Sequence, residues 1–240
     1  MEKVYAQKYR ELYENHWWWR SREVEVLRQL ESRLGNLSRP ASILDVGCGD
    51  GLFFDALQKY GHVTGVESDP ETLSEDGKWL DRIHVQMFDA SFNPGEKYDA
   101  ILMLDILEHM DDPAAAVKHA KSLLKEDGFL LATVPAFMSL WTSHDDLNHH
   151  VIRYCQKDFC PLIVEGGLKV EQSLYLFHWT YAAKLLVRLK ERFFGAVPRP
   201  PKVPNRIVNH ALETFSRLEQ ATISRLPVPF GSSLMVVARP

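Results

Sequence analysis

Two stretches of the 240-residue chain concentrate the residue types that chemistry needs. In the first, Asp45-Val46-Gly47-Cys48-Gly49-Asp50-Gly51, a carboxylate precedes three glycines at alternate positions. Such glycines let the backbone take positive φ and let a ligand come close, because no Cβ intervenes. Ile43-Leu44 leads in and the apolar, helix-compatible run from Leu52 to Leu57 leads out. The turn therefore joins a buried strand to a helix N-terminus with its unpaired N–H groups, a setting that suits a nucleotide-type cofactor. A dinucleotide fingerprint needs a third glycine where Leu52 stands. Asp45 would also sit poorly beside a pyrophosphate; its carboxylate suits a cation such as an amino-acid ammonium.

The second stretch runs Trp141-Thr142-Ser143-His144-Asp145-Asp146-Leu147-Asn148-His149-His150-Val151-Ile152-Arg153-Tyr154. His144 or His150 can be a general base toward a substrate hydroxyl, since imidazole titrates near neutral pH. The same histidines can instead order the loop by hydrogen bonding Asp145 or Tyr154. A third role is a divalent metal held by His144, Asp145, His149 and His150, but the spacing matches no established zinc signature and no metal is assigned. Three roles stay open.

These residues need a scaffold, and the chain supplies βα alternation from residue 42 onward. Strands are expected at 42–47, 62–67, 83–88, 98–105 and 129–134, with helices from the glycine turn to Tyr60, after Ser68-Asp69-Pro70, and around 114–124. Such units imply a parallel sheet with helices on both faces and ligands at the strands' carboxyl ends. Asp45, Glu67, Asp89 and Asp105 all fall at such ends. Glu67 lies about twenty positions beyond the first glycine, a spacing that suits a carboxylate accepting both ribose hydroxyls; the plainer reading is a solvated charge. A helix near 156–166 leads to a sixth strand, 169–175, and residues 233–239 read as a seventh.

The run Asp45, Gly47, Gly49, Gly51 resembles motif I of the class I S-adenosylmethionine (SAM)-dependent methyltransferases, and Asp105-Ile106-Leu107-Glu108-His109 resembles the D-x-L-E-H stretch common after their fourth strand. The resemblance implies an α/β, Rossmann-like seven-stranded sheet, mostly parallel, whose last strand inserts antiparallel between the fifth and sixth. It implies SAM as cofactor and S-adenosylhomocysteine as product. It places Asp45 and the glycine turn at the methionine part, Glu67 with Ser68 on the ribose, Asp89 with Ala90 at the adenine, and Leu104 and Asp105 near the sulfonium, with His109 at the substrate mouth. The second stretch resembles a bacterial methyltransferase subfamily with a W-S-x-H-D…H-x-R-R-Y pattern, often suspected to act on glycans or lipid-linked sugars. Trp141, His144, Asp145, His150, Arg153 and Tyr154 match it, and Ile152 replaces the first arginine. On this reading His144, His150 and Asp145 are catalytic, Trp141, Arg153, Tyr154 and His109 bind the acceptor, and transfer to oxygen is preferred. A nicotinamide-dependent oxidoreductase and a non-catalytic SAM-fold scaffold are the alternatives.

Four regions follow: a helical N-terminal lid (1–36), the SAM-binding core (37–176), a helical insertion (177–231) and the last strand (232–240). In the lid, Trp17, Trp18 and Trp19 cannot all face one core, because neighbours on a helix point about 100° apart. At least one is expected to face a cleft or another segment, with Arg20 or Arg22 pairing the cofactor's carboxylate. In the insertion, Ala182, Leu185, Leu186, Leu189 and Phe193 share an arc opposite Lys184, Arg188 and Arg192; a proline-rich basic segment (197–204) and a second amphipathic helix (205–226) follow. A helical cap over the acceptor pocket, an anionic membrane surface and a homodimer contact all fit.

Composition fits a soluble globular chain, 45% hydrophobic and 25% charged. A net charge of −4 gives no basic field for nucleic acid. Three cysteines without CxxC spacing suggest reduced thiols in a cytoplasm. The first residues lack an apolar signal region, and no apolar run approaches the ~20 residues of a membrane span. A small-molecule or glycolipid acceptor is the expected partner.

Overall fold

The computed structural model describes residues 3–195, 200–223 and 226–240. Val197, Pro198 and Arg199 of the proline-rich segment lie outside them. Helices α1 (Lys3–Asn15) and α2 (Trp17–Leu34) precede strands β1 (Ala41–Val46), β2 (Gly61–Glu67), β3 (Ile83–Val85), β4 (Tyr98–Leu104) and β5 (Leu124–Pro135). Short α3 (Phe54–Leu57) follows β1, and α4 (Pro113–Leu123) follows β4. After β5 come α5 (Ser143–Leu147), α6 (Gln156–Glu165), β6 (Lys169–Leu176), α7 (His178–Phe194), α8 (Arg206–Ala221) and β7 (Ser233–Arg239).

The strands form one seven-stranded sheet in the order β3-β2-β1-β4-β5-β7-β6. β7 pairs antiparallel with β5 and with β6, where the sequence places it, and the pairings among β1 to β5 are parallel. Alternation along β4 sends Ile101 and Met103 into a core shared with α4 and α6, and Ala100 and Leu102 into a second core under α2 and α3. Because β1 lies between β2 and β4, the chain winds away in both directions from its carboxyl end, which opens a crevice there.

Several expected elements come out shorter or longer. The helix after the glycine turn ends at Leu57 rather than Tyr60. The one expected after Ser68 is a single 3-10 turn, Pro70–Thr72, although its cap forms as read, with Asp69 accepting from the Glu71 N–H at 2.9 Å. Beyond it Ser74 turns back, its N–H donating to Asp50 at 3.2 Å, so hydrogen bonds to the glycine turn replace helix continuation. β3 stops at Val85 rather than Phe88, as befits an edge strand with one neighbour. β5 begins at Leu124, directly where α4 stops, and α8 ends at Ala221 rather than 226.

α8 joins the N-terminal helices to α7. Arg20 pairs with Glu213 at 3.0 Å, and Asn209 accepts from the Trp17 N–H (3.0 Å) while donating to the Asn15 carbonyl (2.7 Å). Glu219 accepts from the N–H groups of His178 (2.8 Å) and Trp179 (2.9 Å), putting a carboxylate on the N-terminus of α7, where the helix dipole favours it.

Candidate functional site

At the carboxyl ends of β1, β2 and β4 lies a cavity of about 1850 Å³, roofed by α1, α2 and α7. The glycine turn forms its floor. Gly47 and Gly49 hold φ of +70° and +52°, a region costly for residues with a Cβ. A Cβ on Gly49 would meet nothing within 4 Å, so the space beside it is open to a ligand. Gly51 has a different part: it does not line the cavity, and at φ +69° a Cβ there would lie 3.2 Å from that of Trp79.

Asp45, Glu67, Ser68, Leu104 and Asp105 all line the cavity. The Asp45 carboxyl is pushed up to about 7 by burial, with Arg22 opposing the shift and Glu67 adding to it. Glu67 accepts from the Gly49 N–H at 3.0 Å and the Asp69 N–H at 2.9 Å, so both carboxylate oxygens are fixed at the rim of the turn. Asp105 sits at φ +55°, an unusual conformation for a non-glycine residue, and its carboxylate pairs with Arg22. Of Arg20 and Arg22 on α2, Arg22 faces the cleft and Arg20 is committed to Glu213. All three adjacent tryptophans line the cavity: Trp17 against Trp179, Trp18 stacked on Phe177, and Trp19 edge-on to Tyr9.

Asp89 and Ala90 are not brought to this cleft. The Asp89 carboxylate accepts from the Ser91 N–H (2.8 Å) and hydroxyl (2.6 Å), and Ala90 lines a separate cavity of about 570 Å³ with His119. Both residues lie in the irregular chain beyond the shortened β3, which removes the strand end that would have aimed them inward.

The loop after β5 folds as an ordered frame. Thr142 and Asp145 form a capping box that starts α5. Asp145 is fully buried; the hydrogen bonds from His150 Nδ1 (2.8 Å) and Arg153 Nε (2.7 Å) outweigh its desolvation and hold its carboxyl well below the usual range. It does not line the cavity, so it positions these partners from behind. His150 lines the cleft with Nδ1 tied to Asp145, which leaves Nε2 as its free ring nitrogen. His144 also lines the cleft, but burial and the Lys184 charge push it down to about 4. Its ring lies 3.1 Å from the Asn148 amide nitrogen.

Of the residues expected to bind acceptor, His109 and Arg153 line the cleft. Arg153 is buried and spends its Nε on Asp145 and another nitrogen on the Ala136 carbonyl. Trp141 and Tyr154 are outside the lining: the Trp141 indole N–H donates to Asp146 (2.9 Å), and Tyr154 packs in the core against Phe159. This stretch builds the loop more than it meets a ligand.

Two cleft residues have features that sequence reasoning misses. Glu108 is fully buried with neither carboxylate oxygen hydrogen-bonded, and burial and the nearby Asp105 charge raise its carboxyl well above the ordinary range. Lys184 of α7, grouped by helical spacing with Arg188 and Arg192, turns into the cleft, where burial and the Arg153 charge push its ammonium down to about 8. In the sequence Lys184 shares its polar arc with Arg188 and Arg192, and spacing carries no signal that separates it from them. Only the fold reveals which way that arc turns.

Once this geometry is in place, its likeness to known proteins is specific. Residues 18–183 match the family described as a methyltransferase domain. A ubiquinone biosynthesis O-methyltransferase of Xylella fastidiosa is 37% identical over 41% of this chain and 45% of its own length. The chain spans under half the length of the first curated relatives it matches. An S-adenosylmethionine-dependent methyltransferase from Clostridium acetobutylicum superimposes with a TM-score of 0.58 at 14% identity, over 92% of this chain and 91% of that one. The methyltransferase in complex with the Haloferax volcanii Trm112 methyltransferase activator gives 0.58 at 15%, over 98% and 94%. At such identities these two likenesses concern the fold.

Proposed function

This chain belongs to the class I SAM-dependent methyltransferase family, and we propose that it moves the methyl group of SAM onto an oxygen atom of a small or lipid-borne acceptor. The observation that carries the reading is the convergence of Asp45, Glu67 and Asp105 around a glycine turn with open space beside Gly49. That donor set fits SAM: a buried carboxyl for an ammonium, a braced carboxylate for ribose hydroxyls, and glycines that let the ligand approach. The family and the antiparallel β7 favour this over a nicotinamide oxidoreductase, for which Leu52 in the third glycine position is unfavourable as well.

Bound SAM would supply a methyl group already activated on a sulfonium. The chain's own task is then to align the acceptor oxygen with that carbon and to manage the acceptor's proton. Asp45 would hold the ammonium, Glu67 and Ser68 the ribose, Leu104 and Asp105 the region of the reacting carbon, and Arg22, held by Asp105, the carboxylate. His150 is the residue we propose activates the acceptor oxygen, because Asp145 fixes its tautomer and turns Nε2 to the cleft. It acts as a base through that nitrogen. His144, pushed down to about 4, is the poorer base.

The curated relative's name supports an oxygen acceptor. A lipid-borne one is favoured by α7, which lines the cleft through Lys184 and Val187 and exposes Leu186, Leu189, Phe193 and Phe194. We propose that these exposed side chains, with Lys190 and Arg192 between them, rest on an anionic membrane surface. The α1–α2 pair serves as a lid over the cofactor.

Calorimetric titration with S-adenosylhomocysteine tests the core of the proposal. Micromolar binding is expected, and Glu67→Ala should lose roughly 1.5–3 kcal/mol through its charge-assisted hydrogen bonds. Binding of NADH with no binding of S-adenosylhomocysteine would overturn it, and cofactor binding without turnover across hydroxylated acceptors would favour the scaffold alternative.

A further inference from the structure

We propose that Glu108, His109 and His150 form a divalent-cation site at the acceptor end of the cleft, of the kind that takes zinc or manganese. Spacing alone would put a metal on His144-Asp145…His149-His150. The fold instead joins one histidine of that loop to the Glu-His pair after β4, a segment on the far side of β5 in the chain.

Ligand geometry is the first argument. One donor atom from each of the three residues lies within 4.8 Å of the others, and His150 Nε2 is 4.0 Å from Glu108 Oε1. Donors about 2.0–2.2 Å from a common ion stand at most roughly 4.4 Å apart, so small side-chain rotations close the set. Two imidazoles and a carboxylate form a known donor combination for first-row divalent ions, with positions left over for water or substrate.

Glu108 is wholly buried, yet both carboxylate oxygens lack a hydrogen-bond partner. A buried unpaired carboxylate is costly and calls for a proton or a cation. The nearby guanidinium groups are engaged elsewhere, Arg22 with Asp105 and Arg153 with Asp145. The open direction is toward His150 and His109, whose rings meet edge-to-face with centroids 4.9 Å apart.

A shell of hydrogen bonds stands behind the ligands. His150 donates from Nδ1 to Asp145 at 2.8 Å, which keeps the Nε2 lone pair available to an ion; metal-binding histidines are oriented in this way by carboxylates. The backbone locks the arrangement: the His150 N–H donates to the Asp145 carbonyl and the Val151 N–H to the Glu108 carbonyl, each at 3.0 Å. His109 and His150 both face the large cavity, so an ion's remaining positions open onto the acceptor's space.

This site rests on and deepens the oxygen-transfer reading. An acceptor hydroxyl bound to the ion becomes more acidic and releases its proton to water in the cleft. The oxygen then forms its bond to the methyl carbon as the carbon–sulfur bond breaks, leaving a methyl ether and S-adenosylhomocysteine. With the ion bound, His150 Nε2 serves as ligand instead of base.

The test uses the full chain, stripped with a chelator and then titrated separately with zinc, manganese and magnesium chloride, followed by elemental analysis after desalting. One equivalent of zinc or manganese is expected. Glu108→Gln and His150→Ala should each weaken it at least tenfold, while the surface variant His62→Ala should not. Cobalt substitution should give visible ligand-field bands in the parent and lose them in Glu108→Gln. S-adenosylhomocysteine titration of every variant reports folding and tests the cofactor reading separately. Equal ion uptake by parent and Glu108→Gln, or none by the parent while S-adenosylhomocysteine still binds, overturns the ion site and leaves Glu108 holding a proton. Failure of S-adenosylhomocysteine to bind a parent that takes up the ion would instead sink the methyltransferase reading.

Discussion

A carboxyl group buried as deeply as that of Asp45 keeps its proton to about pH 7 in the ligand-free protein. A bound ammonium would favour the carboxylate and lower that value, so binding should release a proton. The sign is therefore fixed: below pH 7 affinity for S-adenosylhomocysteine should rise with pH, by up to about tenfold per unit, and flatten above it. Titrations at several pH values on both sides of neutrality, in buffers of different ionisation enthalpy, check both the slope and the proton. Asp45→Asn should bind weakly and independently of pH, and a flat profile in the parent protein would remove the ammonium from Asp45. The place of this carboxylate at the cleft was legible in the sequence, because an acidic residue closing a strand before alternate glycines falls at the carboxyl edge of the sheet. Glu108 was legible only as a member of the Asp105–His109 run; its burial without hydrogen-bond partners leaves no mark in the sequence. The surroundings of Asp89 are likewise illegible: its expected place follows a strand running to Phe88, and the chain leaves the sheet at Val85.

Among elements, the N-terminal helices depend on a part of the chain some 190 residues away. Only one orientation of the Asn209 amide satisfies both the Trp17 N–H and the Asn15 carbonyl, the two groups exposed where α1 breaks into α2. Asn209→Ala leaves both without that partner and should cost about 1–2 kcal/mol in denaturant unfolding. Because α2 carries Trp18 and Arg22 over the cleft, S-adenosylhomocysteine affinity should fall as well, while sheet residues keep their amide-exchange protection. Unchanged stability would show that the tryptophan contacts alone seat α2. Helical periodicity announced both partners, but not that α8 lies against α2. Pairings between amphipathic helices this far apart leave no trace in spacing, whereas the sheet order followed from βα alternation and from the terminal strand's family resemblance.

At the scale of the whole molecule, apolar surface is unevenly distributed. The sheet's two cores are closed, yet α7 leaves Leu186, Leu189, Phe193 and Phe194 in solvent, and α8 leaves Ile207, Phe215 and Leu218. No described helix is long and apolar enough to cross a membrane, so these faces suit a surface association rather than a span. Lys190 and Arg192 stand among the exposed residues of α7, which biases the partner toward an anionic surface. Flotation with vesicles containing phosphatidylglycerol should carry the protein upward, with vesicles of phosphatidylcholine alone doing so weakly and added salt reducing both. Replacing Phe193 and Phe194 together with serine should abolish flotation without changing S-adenosylhomocysteine affinity, because neither side chain lines the cleft. A concentration-dependent dimer that the same pair of substitutions dissociates, with no flotation in the parent, would instead assign this face to a second copy of the chain. The acceptor would then reach the cleft from solution, and α7 would order the assembly rather than hold the enzyme to a lipid surface.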